Sequence, residues 1–347
     1  MPSPLSRLLT AVLLIAPPLL SPLSAQGNAA SYHLVQRVTI GGEGGWDYLF
    51  ADTAGHRLYL SHSTRVEVLD LDDFHLLGSI AGTNGVHGIA TDGASGRGFT
   101  SNGRDSTVTV FDLKSLATLQ TVHIPGANPD AIIFDRASGR VFTFNGGSHS
   151  ATAIDPATGT VIGTINLSGK PEFAVSDGLG RIFVNIEDKS TAATIDTKTL
   201  TVTQEWSLAP CESPSGLAFD AVHRRLFSAC DNRVMAISDP DVGRVVATAT
   251  IGDGVDATSF DAMRGLAFSS NGEGSITIVR EVTPDRYEVI ANVPTQRGAR
   301  TMTLDPRTGR LFTVTAEYGP PPAPTPERPR PRPSIVPGSF TLLVVGP

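Results

Sequence analysis

The stretch "TLDPRTGRLF", Thr303–Phe312, decides the fold. It has a strand-like run, an Asp that opens a turn, a Gly–Arg pair and a second strand-like run. An Asp at the head of a turn can accept hydrogen bonds from the amides ahead of it, and Gly before Arg can adopt positive φ. Near-copies stand at "IFDRASGRVF" (Ile133–Phe142), "AFDAVHRRLF" (Ala218–Phe227), "VSDGLGRIF" (Val175–Phe183) and "ATDGASGRGF" (Ala90–Phe99). Two blurred versions, "FADTAGHRLY" from Phe50 and "SFDAMRGLAF" from Ser259, complete the set.

The opening Asp residues are Asp52, Asp92, Asp135, Asp177, Asp220, Asp261 and Asp305, with gaps of 40, 43, 42, 43, 41 and 44 residues. Arg follows at Arg57, Arg97, Arg140, Arg181, Arg225 and Arg310, and Leu266 is the exception. A period of this length, holding four strand-length apolar segments, marks a β-propeller blade. The second repeat shows the plan: strand a "VHGIATD", strand b "GRGFTSN", strand c "STVTVFD" and strand d "LATLQTVHI". "TVTVFD" alternates with period two, as a strand in a stacked sheet requires. Turn formation alone accounts for the Asp–Gly–Arg sets, and no function is assigned to them.

The seventh repeat has only three strands, "ARTMTLD", "GRLFTVTA" and "SFTLLVVG", while an unpaired strand, "SYHLVQRVTI", precedes the first. Joining the two completes the last blade and removes two exposed sheet edges. The fold class is therefore all-β: a seven-bladed β-propeller of four-stranded blades, its ring closed by the N-terminal strand. Residues 31–347 form this single domain, and a Pro-rich insertion at 319–338 within blade 7 reads as extended and solvated.

Residues 1–25 contain one positive residue, Arg7, then an apolar run and a small-residue exit near Ala25. That pattern reads as a secretory signal peptide, too short and Pro-interrupted for a membrane span. An exported chain, periplasmic or extracellular, is expected. Its two cysteines, Cys211 and Cys230, then favour a disulfide over two buried thiols. A net charge of −7 argues against nonspecific nucleic-acid binding. A monomer is expected.

The repeat, together with "FTSN" (Phe99–Asn102), "FTFN" (Phe142–Asn145) and "FSSN" (Phe268–Asn271), resembles the YVTN-type, YncE-like bacterial β-propellers. The resemblance spans essentially the whole mature chain, with Phe mostly standing where the family has Tyr. It implies a seven-bladed fold, an exported location and a binding or scaffold role, and it carries over no catalytic residues.

In such a fold strand a lines the central channel, and the d–a and b–c loops gather on one face. Five residues before each anchoring Asp stand Asp47, His87, Asp130, Glu172, Ser215, Asp256 and Arg300. All seven are polar, and four are carboxylates. They define a channel-mouth ring suited to a cationic, hydroxylated or metal-containing ligand, or to a protein partner, although a wetted mouth would also be polar. Asp47, His87 and Asp130 make a candidate divalent-metal trio, or a His–carboxylate pair for acid–base work. Nearby His62, Asn102, Asn145, His149 and Arg297 are candidate extensions of the pocket.

No cofactor is predicted, though a divalent metal fits the trio. The sequence contains no G-x-S-x-G elbow, H-E-x-x-H, phosphate loop or haem motif. The leading expectation is an exported propeller that binds a ligand or partner at the loop face. The alternatives are a lactonase-like or metal-dependent hydrolase using the ring, and a subunit of a periplasmic redox assembly.

Overall fold

The computed structural model describes residues 32–325, 331 and 333–347. The signal peptide expected at 1–25 lies outside them. Seven four-stranded antiparallel sheets form, and each of six consists of four consecutive strands. The seventh pairs His33–Thr39 with Thr341–Gly346, next to Arg310–Thr315 and Met302–Asp305. The N-terminal strand thus closes the ring, as the missing fourth strand requires. The innermost strands contact one another in cyclic order, the last meeting the first. Among the described residues the one helical element is a single 3₁₀ turn, Glu187–Lys189, and no helix is long and apolar enough to cross a membrane.

One large aromatic per blade fixes the packing between sheets. Tyr59, Phe99, Phe142, Phe183, Phe227, Phe268 and Phe312 each stand third in strand b and are almost fully buried. Strand d faces outward and is largely exposed, as in "TLQTVH" (Thr118–His123), where Val122 alone is buried.

The repeated turn does more than reverse the chain. Its Asp accepts from its own turn, as in Ser138 N→Asp135 Oδ2 at 2.9 Å. The repeated Arg reaches across to the c–d turn of the following blade. Arg97 Nη1 donates to the Pro156 carbonyl at 2.7 Å, Arg140 Nη1 to Thr197 O at 2.8 Å, and Arg225 Nε to Pro284 O at 2.9 Å. Each Arg therefore ties two blades through a charge-assisted bond. Blade 6, where Leu266 replaces the Arg, uses Arg264 Nη1 to Pro306 O at 3.2 Å instead.

The roots of the blade 7 insertion are joined: Gly319 N donates to Ser334 O at 2.8 Å and Val336 N to Glu317 O at 2.9 Å. Tyr318 from this stem packs on Trp46 with ring centroids 6.4 Å apart, which places it beside the channel mouth.

Candidate functional site: a carboxylate ring over an aromatic plug

Six ring residues stand second in their strand a: Asp47, His87, Asp130, Glu172, Ser215 and Asp256. In every one of these blades the a–b register slips around that position. A bulge frees a residue from the ladder and re-aims its side chain, here at the end of the strand. Arg300 departs from the expected register. Its strand begins only at Met302, because the backbone from Gln296 to Arg300 is spent on tight turns, including Ala299 N→Gln296 O at 3.0 Å.

The neighbouring blade holds the ring backbone in place. Ser101 Oγ donates to Asp130 O, Ser270 Oγ to Arg300 O, and Asn185 Nδ2 to Ser215 O at 3.0 Å. The side chains then pair around the circle. His87 Nδ1 hydrogen-bonds Asp47 Oδ2 and lies 3.8 Å from Asp130 Oδ1. Lys170 Nζ bridges Glu172 and Glu187. Ser215 Oγ donates to Asp256 Oδ1 at 3.1 Å, and Arg300 Nε lies 3.3 Å from Asp256 Oδ2. The expected ring is thus assembled, with Lys170 and Glu187 added to it. A Cβ on Gly103 would sit 2.6 Å from His87 Nε2, so glycine there is what leaves room for the imidazole.

Electrostatics in the mouth are unbalanced. Five carboxylates (Asp47, Asp130, Glu172, Glu187 and Asp256) face three cations (His87, Lys170 and Arg300). Burial, aided by the Asp47 charge, holds the Asp130 carboxyl above the usual range. Burial and Asp130 do the same to Glu172. Burial raises Asp256, against the pull of Arg300. Burial works against charge on His87, but the Asp47 hydrogen bond and the Asp130 charge overcome it and lift its pKa to about 9. The imidazole is therefore cationic at neutral pH and acts as an internal counter-ion.

Beneath the ring, Tyr48 of blade 1 stacks on Phe173 of blade 4, with centroids 4.5 Å apart. Blades 1 and 4 stand on opposite sides of the circle, so the two rings meet on the axis and plug the channel. The plug also forms part of the wall of a cavity of about 580 Å³ lined by strand-a residues such as Ala131, Ile133 and Val175, running toward the opposite face. The Tyr48 phenol is held protonated by burial and by the surrounding Asp130, Glu172, Asp47 and Asp256 charges. Its buried Oη makes no well-formed hydrogen bond among the described residues. This donor beneath the carboxylates was not foreseen from sequence. The signal was an aromatic immediately following a ring residue in two opposed repeats.

Three of the proposed pocket extensions are structural. His62 is fully buried, stacked on Phe340 at 4.2 Å, because ring closure lays the C-terminal segment over it. Asn102 Nδ2 donates to Thr107 and Thr109 Oγ1 at 3.0 and 2.9 Å, and Asn145 binds Ser150 and Thr152 in the same way. Both tie strand b to strand c and are fully buried. His149 and Arg297 are exposed loop residues. Cys211 and Cys230 form the expected disulfide, with Cα atoms 5.6 Å apart.

No family model matches the chain, and neither does any curated protein. Solved structures do share the fold. A chain of Kuenenia stuttgartiensis hydrazine synthase superposes with a TM-score of 0.68 at 14% identity, covering 78% of this chain and 92% of that one. U3-55K superposes with a TM-score of 0.71 at 10% identity, covering 91% and 98%. The chain is a seven-bladed β-propeller. At these identities the likeness extends to architecture and no further.

Proposed function

We propose that this is an exported propeller of the YVTN-type, YncE-like kind whose channel mouth binds a small cationic, hydroxylated ligand, or the cationic side chain of a protein partner. The observation that carries this reading is the crowding of partly buried carboxylates around one axis in excess of their counter-ions. A desolvated like-charged cluster is relieved by an incoming cation. The Tyr48 phenol, which lies against the Asp130 carboxyl, supplies a donor for an oxygen on the same ligand. The N-terminal signal-like segment and the Cys211–Cys230 disulfide support export.

A second reading is favoured by one contact set. His87 Nδ1 faces both Asp47 and Asp130, and the three donor atoms lie within 4.8 Å of one another, which suits a divalent cation. The imidazole must lose its proton for this, so a metal competes with the His87–Asp47 ion pair.

The test uses the full mature chain with ethanolamine, choline, putrescine, Ca²⁺ and Mn²⁺ as separate probes, followed by calorimetry and thermal melting. At least one probe is expected to bind and raise Tm. Asp130→Ala and Glu172→Ala are each expected to abolish that effect while leaving the folded state intact. Failure of every probe, or equal binding by both variants, would reduce the ring to a wetted lining.

A further inference from the structure

A second cluster lies at the far end of strand a, on the joint between blades 5 and 6, away from the mouth. His223 occupies the a–b turn of blade 5, three residues after the turn-opening Asp220. Its Nδ1 lies 2.8 Å from Asp220 Oδ2 and 3.1 Å from Glu281 Oε1. Asp220 uses its other oxygen, Oδ1, to accept from Val222 N at 2.9 Å, so turn capping leaves Oδ2 for the cluster. Both carboxylates are more than nine-tenths buried, while the imidazole is 44% exposed.

Two independent departures from the repeat meet at this joint. In other blades the turn-opening Asp is satisfied by fixed partners. Asp177 takes Arg181 Nε at 2.9 Å, Asp261 takes Arg264 Nη1 at 2.7 Å, and Asp135 takes the Ser138 and Ser176 hydroxyls. Blade 5 substitutes an imidazole. The second departure is Glu281 itself. It follows Arg280, which pairs with Leu266, and the same place in blades 1–5 holds Leu71, Leu113, Pro156, Thr197 and Pro240.

Blade 6 can present a carboxylate there because its c–d hairpin runs on, with strands Ser275–Thr283 and Arg286–Pro294. Glu281 thus sits inside the ladder opposite Tyr287 rather than in a turn. The nearby Arg225 does not neutralise the cluster, being engaged with Asp239 at 3.0 Å and Asp285 at 2.8 Å.

One proton on Nδ1 can form one straight hydrogen bond, yet the nitrogen faces two carboxylate oxygens. An ion bonded to all three at about 2.0–2.2 Å would hold its donors on the order of 3 Å apart, close to the spacings seen. A cavity of about 250 Å³, lined by Asp220, His223, Glu281 and Phe260, adjoins the donors and leaves room for water or a ligand oxygen.

We propose that Asp220, His223 and Glu281 form a binding site for a divalent first-row metal ion, Zn²⁺ or Mn²⁺, bridging blades 5 and 6 with open positions toward this cavity. Two carboxylates and one imidazole suit these borderline ions. The proposal is independent of the channel mouth.

The test uses the chelator-stripped full chain. Titration with Zn²⁺ and with Mn²⁺, checked by elemental analysis after dialysis, is expected to show one equivalent that His223→Ala and Glu281→Gln each lose. Asp130→Asn, altered only at the mouth, is expected to retain it. An anomalous difference map at the zinc edge should place the ion between the three side chains. Should one variant fold poorly, the other and the map still decide. Absence of uptake by the wild-type chain, retention of the equivalent in both variants, or an anomalous peak elsewhere would overturn the assignment.

Discussion

The two ends of the same seven strands behave oppositely. At one end each blade carries an Asp, and nearly every blade an Arg, in the same two roles: the Asp caps its own turn, and in most blades the Arg grips a neighbour. At the other end the seven side chains vary (three Asp, one Glu, and a single His, Ser and Arg), and in six blades a bulged backbone turns them toward a common axis. Joining one blade to the next is the same task every time, so the sequence repeats it. Facing a single ligand is one task shared by all blades, so the blades divide it, four giving carboxylates and the others an imidazole, a hydroxyl and a guanidinium. Identical residues in register therefore mark construction, and dissimilar ones in register mark a site.

Three measurements would break or sharpen this contrast. Phe142→Ala, at a repeated and fully buried position, is expected to lower unfolding free energy by about 3–5 kcal/mol in urea titration. Its cation binding under native conditions should be unchanged. A loss below ~1 kcal/mol would mean that the inter-blade aromatics do not set stability.

Glu172→Gln should show the reverse pattern. The raised pKa of Glu172 means that its neutral form favours folding, and this contribution is lost as pH rises from the ordinary carboxylate range through neutrality. The raised His87 pKa acts in the same sense, its contribution being lost as pH rises through about 9. Wild-type Tm is thus expected to fall from mildly acidic to alkaline pH, and Glu172→Gln to flatten that slope by a few degrees while weakening cation binding. A steeper slope in the variant would contradict the electrostatic account.

The smallest effect is expected for Arg140→Ala, which removes one partly exposed staple to Thr197 O and should cost about 1 kcal/mol. Binding should again be untouched.

The spacing of Asp52 through Asp305 made the blade count legible, and the three-stranded seventh repeat made the closure legible. Counting back five residues also found the ring, because in six of the seven blades strand a begins one residue before that position. Other features depend on contacts between distant segments. Nothing local in His62 signals that Phe340 covers it. Arg97 gives no hint in its own turn that it reaches Pro156. The Tyr48–Phe173 stack arises only when opposite blades face each other, and Glu281 gains its neighbours only through a lengthened hairpin. Repetition encodes what is local, whereas the axis and the blade joints are made by the circle itself.

The stacked pair of Tyr48 and Phe173 has a kinetic consequence. With the Tyr48–Phe173 pair lying across the axis, the carboxylate mouth stands on one side and a cavity of mixed lining, including Asp52, Arg136, Ser176 and Thr258, on the other. A guest at the mouth that does not push this pair aside departs by the face it entered.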